Sequence, residues 1–132
     1  MSVTGGERPF SKEVEEFILR EVDSVPHLEA LLQLWNSRPR QWSADEMAAV
    51  LYVKGGEARK ILHGLVRRRL VDSGEGELYC YRSDGPDHDA VVGAVDAAYR
   101  RYIVLISRMI HAKASPGVRD FADAFRFTKD KE

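Results

Sequence analysis

The sequence has a single cysteine, no long apolar segment and almost no net charge. Cys80 has no second thiol with which to form a disulfide within the chain, which is typical of a protein from a reducing compartment. No apolar run approaches the ~20 residues that a membrane-spanning helix needs. The first residues, MSVTGGERPF, lack the apolar core of a signal peptide. We therefore expect a cytoplasmic protein with no membrane partner.

The sequence also lacks the common catalytic and cofactor-binding patterns. Neither glycine-rich phosphate-binding pattern is present, and Cys80 lies outside any CxxC spacing. The four histidines are scattered, and the nearest approach to a metal-ligand cluster is the group Asp84, Asp87, His88 and Asp89. Capping of the following helix by Asp87 or Asp89 explains this group without a metal. We expect no enzymatic activity, no metal and no cofactor.

The charges that are present are unevenly distributed. The 132 residues are 44% hydrophobic and 31% charged, a composition typical of one globular domain. Lys and Arg total 20 against 21 Asp and Glu, and this near-balance speaks against a nucleic-acid partner. However, residues 1–23 carry a net charge of −3, whereas residues 54–69 carry +5. A polyanion would therefore meet one cationic segment rather than a uniformly basic protein.

Residue spacing predicts three short helices in the first part of the chain. Ser11 is expected to cap the first helix, and the break around Ser24 and Pro26 to begin the second. Ser43 and Glu46 fit a capping box at the start of the third helix. That helix is expected to end near residues 52–53.

A fourth, basic helix is predicted after a tight turn at residues 55–56, and it runs from about Glu57 to Arg69. Its buried stripe is expected to comprise Ala58, Ile61, Leu62 and Leu65, with Val66 at the edge. The opposite face would then present Gly56, Lys60, His63, Gly64 and Arg67. A glycine at position 64 costs about 1 kcal/mol relative to alanine, which is tolerable where the backbone must approach a neighbour closely.

A β-hairpin and a long helix are predicted for the remainder of the chain. Residues 70–81 form two short strands around a glycine-containing turn, and a helix follows over about residues 87–113. The long helix carries two apolar stripes on neighbouring faces. One contains Val91, Val95, Ala98, Tyr102, Leu105 and Met109, and the other contains Val92, Tyr99, Ile103, Ile106 and Ile110. One stripe is expected to cover its own domain, and the other a second copy or the first helix.

The order of these elements resembles a winged helix-turn-helix domain of the small bacterial multiple-antibiotic-resistance and phenolic-acid-regulator types. The most specific segment is LHGLVRRRLV, residues 62–71, where Leu62, Leu65, Leu70 and Val71 match the pattern that leads from recognition helix to wing. Arg69 departs from this pattern, because glycine is usual there. It must adopt a left-handed conformation at a steric cost, or the helix must end differently. The segment SADEMAAVLYV is similar to the second helix of the motif.

This resemblance implies a fold that is mainly α with a small β-hairpin wing, an α+β class. It divides one domain into a tail and helix (1–25), a winged helix-turn-helix core (26–86) and a long helix with a terminal segment (87–132). It implies DNA binding through Lys54, Arg59, Lys60, His63, Arg67 and Arg68. A homodimer would read a pseudo-palindromic site in double-stranded DNA, with Val92, Tyr99, Ile103, Ile106 and Ile110 at its interface.

One alternative to DNA binding stays open, and so does the role of the terminal segment. The arginines at positions 67–69 would stabilise a helix C-terminus without any ligand, and the acidic wing would repel phosphate. The chain could thus be a protein-interaction module of a transcription or chromosome-associated complex. The terminal segment, with Val118, Phe121, Ala122 and Phe125 at helical spacing, is expected either to latch onto the core or to form a docking motif.

Overall fold

The structure, a computed structural model, describes residues 9–114, which form six α-helices and one two-stranded antiparallel sheet. The helices are α1 (Lys12–Glu21), α2 (Val25–Asn36), α3 (Ala44–Leu51), α4 (Gly55–Arg67), α5 (Pro86–Arg101) and α6 (Ile103–Ala114). The strands are β1 (Val71–Ser73) and β2 (Tyr79–Tyr81), joined through a short 3-10 turn at Glu75–Glu77. The predicted α+β class, mainly helical with a small hairpin, is confirmed.

The first three helices begin at the predicted caps. Ser11 Oγ accepts the backbone N–H of Val14 at 3.2 Å, and Ser24 caps α2 in the same way. Ser43 and Glu46 form the capping box, because each side chain accepts the backbone N–H of the other, at 3.1 and 2.9 Å. The starts of these helices are therefore determined by local sequence.

The connection between α3 and α4 differs from the predicted glycine turn. Gly55 and Gly56 are the first residues of α4, and the chain turns instead at Tyr52, whose φ of 60° is left-handed. A Cβ on Gly55 would lie 2.7 Å from Oδ1 of Asp45, the end of an exposed side chain that can move. The prediction was wrong because the left-handed Tyr52 makes the turn before the two glycines are reached.

The end of α4 fits the steric argument made for Arg69. This residue has a φ of 63°, the left-handed conformation that glycine usually supplies. The backbone N–H of Leu70 donates to the carbonyl of Leu65 at 3.0 Å, and that of Arg69 donates to Val66 at 2.9 Å. This pair of bonds is the Schellman arrangement, which ends the helix and directs the chain into β1.

The predicted hairpin is present and has an additional neighbour. Val71 pairs with Tyr81, and Ser73 pairs with Tyr79. Trp42, in the segment before α3, exchanges two backbone hydrogen bonds of 2.7 Å with Tyr79. This bridge fastens the hairpin to the helical part and was not predicted.

The predicted long helix over residues 87–113 is divided into α5 and α6. Tyr102 leaves the helical conformation, with φ −125° and ψ 48°. No proline or glycine occurs between residues 94 and 114, so the sequence contains no strong helix breaker. The β-branched pair Ile103 and Val104 follows the break, and such residues favour helix only weakly. The change of direction lets α5 and α6 both pack on α1 and α2.

The core corrects the predicted dimer interface. Val92, Tyr99, Ile106 and Ile110 are at most 7% exposed within the single chain, whereas Ile103 is 49% exposed. Although the helix is divided, most residues of both apolar stripes face the interior. Four of the five predicted interface residues therefore belong to the core of the chain, and one remains available to a partner.

Two remaining expectations concern the terminal segment and membrane spanning. The predicted terminal segment from Val118 to Phe125 lies outside the described residues. Within residues 9–114, none of the helices has the length and apolar character needed to cross a bilayer.

Candidate nucleic-acid interface

The outer face of α4 is a cationic surface built by one element. Lys60, His63 and Arg67 are exposed and recur every three or four residues, so they lie on one side of the helix. The opposite side is buried through Ala58, Ile61, Leu62 and Leu65, as predicted. Among the described residues, none of the three outer side chains forms an ion pair. This face is therefore open to an anion.

The start of α4 adds a weaker attraction for anions. Lys54 is the exposed N-cap residue, and its ammonium group forms no ion pair with another described residue. The first N–H groups of a helix carry partial positive charge. Glu57 in the first turn and Asp45 beside Gly55 offset part of that charge. Lys54 is thus a peripheral contact and not the centre of the surface.

Arg59 belongs to the same helix but is already paired. Its Nη2 lies 3.6 Å from Oε1 of Glu77 in the hairpin turn, and both side chains are more than half exposed. The hairpin is otherwise acidic, since Asp72 and Glu75 are also exposed, and Asp72 lies 3.8 Å from Arg82. An external anion that approaches Arg59 therefore meets the Glu77 carboxylate beside it.

Arg68, predicted to bind DNA, is held inside the protein's own ion-pair network. Its guanidinium donates two hydrogen bonds to Asp23, at 2.7 and 3.2 Å, and one to the carbonyl of Arg20 at 3.0 Å. Glu21 lies 3.6 Å away. The hydrogen bond from Arg68 lowers the pKa of the Asp23 carboxyl. Arg68 therefore joins the end of α4 to the α1–α2 connection and is not free for a ligand.

Gly64, predicted on the outer face, is buried against α2. A Cβ at this position would lie 3.1 Å from Nε2 of His27, so the glycine permits close packing and does not expose backbone. The His27 ring is fixed by Ser24, whose Oγ lies 2.6 Å from Nδ1. Burial lowers the pKa of His27 below its usual value. The neutral ring is thus part of the support for the back of α4.

Two further cations lie near the hairpin and were not identified from the sequence. Arg40 lies over the Trp42 ring at 3.8 Å, and Arg38 lies over Trp35 at 3.4 Å. Because Trp42 pairs with Tyr79, this segment runs beside β2. In residues 35–42 two arginines lie between two tryptophans. This clustering is the sequence signal that could have revealed the two cations.

The acidic segment before α5 is explained by internal hydrogen bonds. Asp89 accepts the hydroxyl groups of Tyr81 and Ser83, each at 2.6 Å. The N-cap residue of α5 is Gly85, which has no side chain with which to cap the helix. The predicted capping by Asp87 or Asp89 is therefore wrong. Among residues 9–114, no three His, Cys, Asp or Glu side chains are grouped as metal ligands. Burial raises the pKa of Cys80, which disfavours its thiolate.

A groove of about 450 Å³ lies between α2, the end of α3 and α5. Its carboxylates already have partners: Glu29 accepts the Tyr99 hydroxyl at 2.8 Å, and Asp96 lies 3.2 Å from Nε of Arg100. Asn36 also donates to Asp96 at 3.1 Å, so both carboxylates of the groove join α2 to α5.

Comparison with known proteins gives information about the fold alone. No protein-family profile and no curated protein matches the chain. The crystal structure of RV1404 from Mycobacterium tuberculosis is similar, with a TM-score of 0.50 and 19% sequence identity. The similarity covers 89% of this chain and 80% of that one.

Proposed function

We propose that this chain is a winged helix-turn-helix protein that binds double-stranded DNA as a homodimer and regulates transcription. Helix α4 would enter the major groove, with the hairpin beside the phosphate backbone. The outer face of α4 carries the proposal, because Lys60, His63 and Arg67 are exposed there without an ionic partner among the described residues. Arginine and lysine side chains bind phosphates, and arginine also pairs with guanine.

The order of elements supports this reading of α4. Helix α3 packs against α4 across a three-residue connection, and the hairpin follows α4 directly. Arg68 and the Gly64–His27 contact fix the back and the end of α4 to α1 and α2. A helix supported from behind with cations on its open side has the form that groove binding requires.

Replacement of Lys60 and Arg67 tests the proposal. The double variant Lys60→Ala/Arg67→Ala should bind a mixed-sequence duplex of about three helical turns at least tenfold more weakly at low salt. The slope of log affinity against log salt should become shallower by about two, because each phosphate contact contributes about 0.9. Fluorescence anisotropy over a salt series measures both quantities, and circular dichroism verifies that the variant is folded.

The matched control changes the same charge elsewhere. Lys12→Ala/Arg20→Ala removes two exposed cations from α1 and should leave both affinity and salt slope nearly unchanged. Equal binding by the wild type and the α4 double variant would refute DNA binding through this face.

The acidic hairpin favours one alternative, a protein-interaction module. Asp72, Glu75 and Glu77 are exposed close to α4, and a partner with mixed charge would tolerate them better than DNA does. Recovery of a stoichiometric protein partner that depends on Lys60 and Arg67, with no duplex binding by the wild type, would favour this alternative.

A further inference from the structure

The hairpin turn holds a carboxylate in a defined position beside α4. Gly76 and Glu77 both have left-handed backbones, with φ of 70° and 57°. The left-handed conformation is uncommon for a residue other than glycine, so the surrounding fold imposes it on Glu77. A backbone hydrogen bond of 2.7 Å from Gly74 to Leu78 closes the turn. The direction of the Glu77 Cα–Cβ bond therefore follows from the geometry of the turn.

The base of the hairpin is firmly attached to the helical part. Tyr79 is fully buried, and its backbone exchanges two hydrogen bonds with Trp42. The turn therefore cannot move far from α4 without breaking buried contacts. From this position, Oε1 of Glu77 lies 3.6 Å from Nη2 of Arg59.

The ion pair itself is accessible and weak. The Arg59 and Glu77 side chains are 55% and 67% exposed, so solvent and salt screen their attraction. The pair can consequently open when a stronger anion approaches. Arg59 differs in this respect from Lys60, His63 and Arg67, which have no such pair among the described residues.

We propose that Glu77 is an intramolecular competitor of DNA for Arg59. This inference rests on the proposed function. A phosphate that approaches Arg59 competes with the Glu77 carboxylate, which lies close to it and repels the phosphate. While the pair stays closed, the duplex loses the Arg59 contact, so the hairpin lowers the general affinity of the α4 surface for polyanions. Glu77 thereby limits non-specific binding by an otherwise unpaired cationic helix.

The variant Glu77→Gln tests the competition. It removes the negative charge and retains the size of the side chain, so Arg59 becomes available. Affinity for the mixed-sequence duplex should increase about three- to tenfold, and the salt slope should steepen by about one because one more phosphate contact forms.

The control is Glu75→Gln, which makes the same change of charge in the same turn. Glu75 is exposed and forms no ion pair with another described residue, so its replacement reports the long-range effect of the charge alone. The gain from Glu77→Gln should exceed the gain from Glu75→Gln. In an Arg59→Gln background, the two variants should give equal gains, because the contact that distinguishes them is absent.

The outcomes separate this inference from the proposed function. Suppose that the wild type binds the duplex and that Glu77→Gln and Glu75→Gln change its affinity equally while Arg59 is retained. This result would overturn the competition and leave DNA binding intact. Absence of duplex binding by the wild type and both variants would overturn the proposed function and the competition together. In the free protein, the Arg59 guanidinium NMR signal should shift in Glu77→Gln but not in Glu75→Gln. An unchanged signal in both variants would also overturn the inference.

Discussion

The Gly64 backbone in α4 packs closely against the His27 ring in α2. Nothing larger than glycine fits without displacement, because a Cβ would lie 3.1 Å from Nε2 of His27. The ring has little freedom to move, since Ser24 Oγ holds Nδ1 at 2.6 Å. The helix thus gives up about 1 kcal/mol of intrinsic stability at position 64 to obtain close packing.

Gly64→Ala should therefore destabilise the protein in spite of alanine's better helix propensity. We expect the free energy of unfolding to fall by about 1 kcal/mol, because the overpacking cost of about 2 kcal/mol exceeds the propensity gain of about 1 kcal/mol. Urea denaturation followed by circular dichroism measures the change.

The same substitution in a His27→Ala background provides the control. With the ring removed, Gly64→Ala should increase the free energy of unfolding by about 1 kcal/mol. Similar effects in the two backgrounds would show that His27 does not restrict position 64.

At the scale of elements, Arg68 connects the end of α4 with the α1–α2 connection. The connection uses two hydrogen bonds to Asp23 and one to the carbonyl of Arg20. The hydrogen bond from Arg68 lowers the pKa of Asp23 from its ordinary value of 3.8. A carboxylate whose pKa is lower in the folded state stabilises the fold above the unfolded-state pKa and loses this contribution as the pH falls through the folded-state value.

Asp23→Asn should consequently lower stability in a pH-dependent manner. At pH 7 we expect a loss of about 1 kcal/mol, the usual size for a partly exposed charge-assisted contact. The difference from the wild type should shrink as the pH falls below about 4, because the wild-type carboxyl then becomes protonated. Thermal unfolding at several pH values measures this trend.

Asp84→Asn is the matched variant for this series. Asp84 is exposed and has no ion pair with another described residue. The stability of the Asp84→Asn variant should stay close to that of the wild type at every pH. If Asp23→Asn lowers stability by the same amount at all pH values, the proposed dependence on the Asp23 pKa is contradicted.

At the scale of the whole molecule, the break at Tyr102 leaves a small apolar surface uncovered. Ile103 is 49% exposed and Val104 is 61% exposed, directly after the break. A groove lined in part by Phe10, Ala97 and Tyr102 reaches the same break in the chain. Exposed apolar side chains next to such a groove are typical of an interface between protein chains, so we place the proposed homodimer contact here.

Ile103→Asp/Val104→Asp should produce a monomer if the homodimer uses this surface. Two charges at an apolar interface would remain buried without partners, which costs several kcal/mol. Sedimentation equilibrium should show a dimer for the wild type and a monomer for the variant, with unchanged circular dichroism.

Val50→Asp introduces a charge on a different exposed apolar residue, one that is 41% exposed on α3. This variant should remain dimeric. A wild-type chain that sediments as a monomer at all concentrations would contradict the homodimer itself.

The starts of α1, α2 and α3 could be predicted because they depend on residues close in sequence. Ser43 and Glu46 satisfy each other's backbone groups within one turn. The sequence left two endings open for α4, and the structure has the first of them, since Arg69 adopts the left-handed conformation. The outer face of α4 was also predictable, since Lys60, His63 and Arg67 follow from helical period alone.

Contacts between distant segments could not be predicted in this way. Arg68 meets Asp23 across 45 positions of sequence, and Arg59 meets Glu77 only because the hairpin folds back on α4. The two apolar stripes of residues 91–110 suggested a partner, but most of their residues face the core of the chain itself.

The sequence by itself determined the α+β class, the caps of the first three helices, the hairpin and which side of α4 is cationic. These features depend on hydrogen bonds and periodicities within a few residues. Only the tertiary structure decided which of those cations are free, which apolar residues remain exposed and where the last helix bends. These features depend on packing and on charges brought together from distant segments, and burial and ion pairing are properties of the folded chain as a whole.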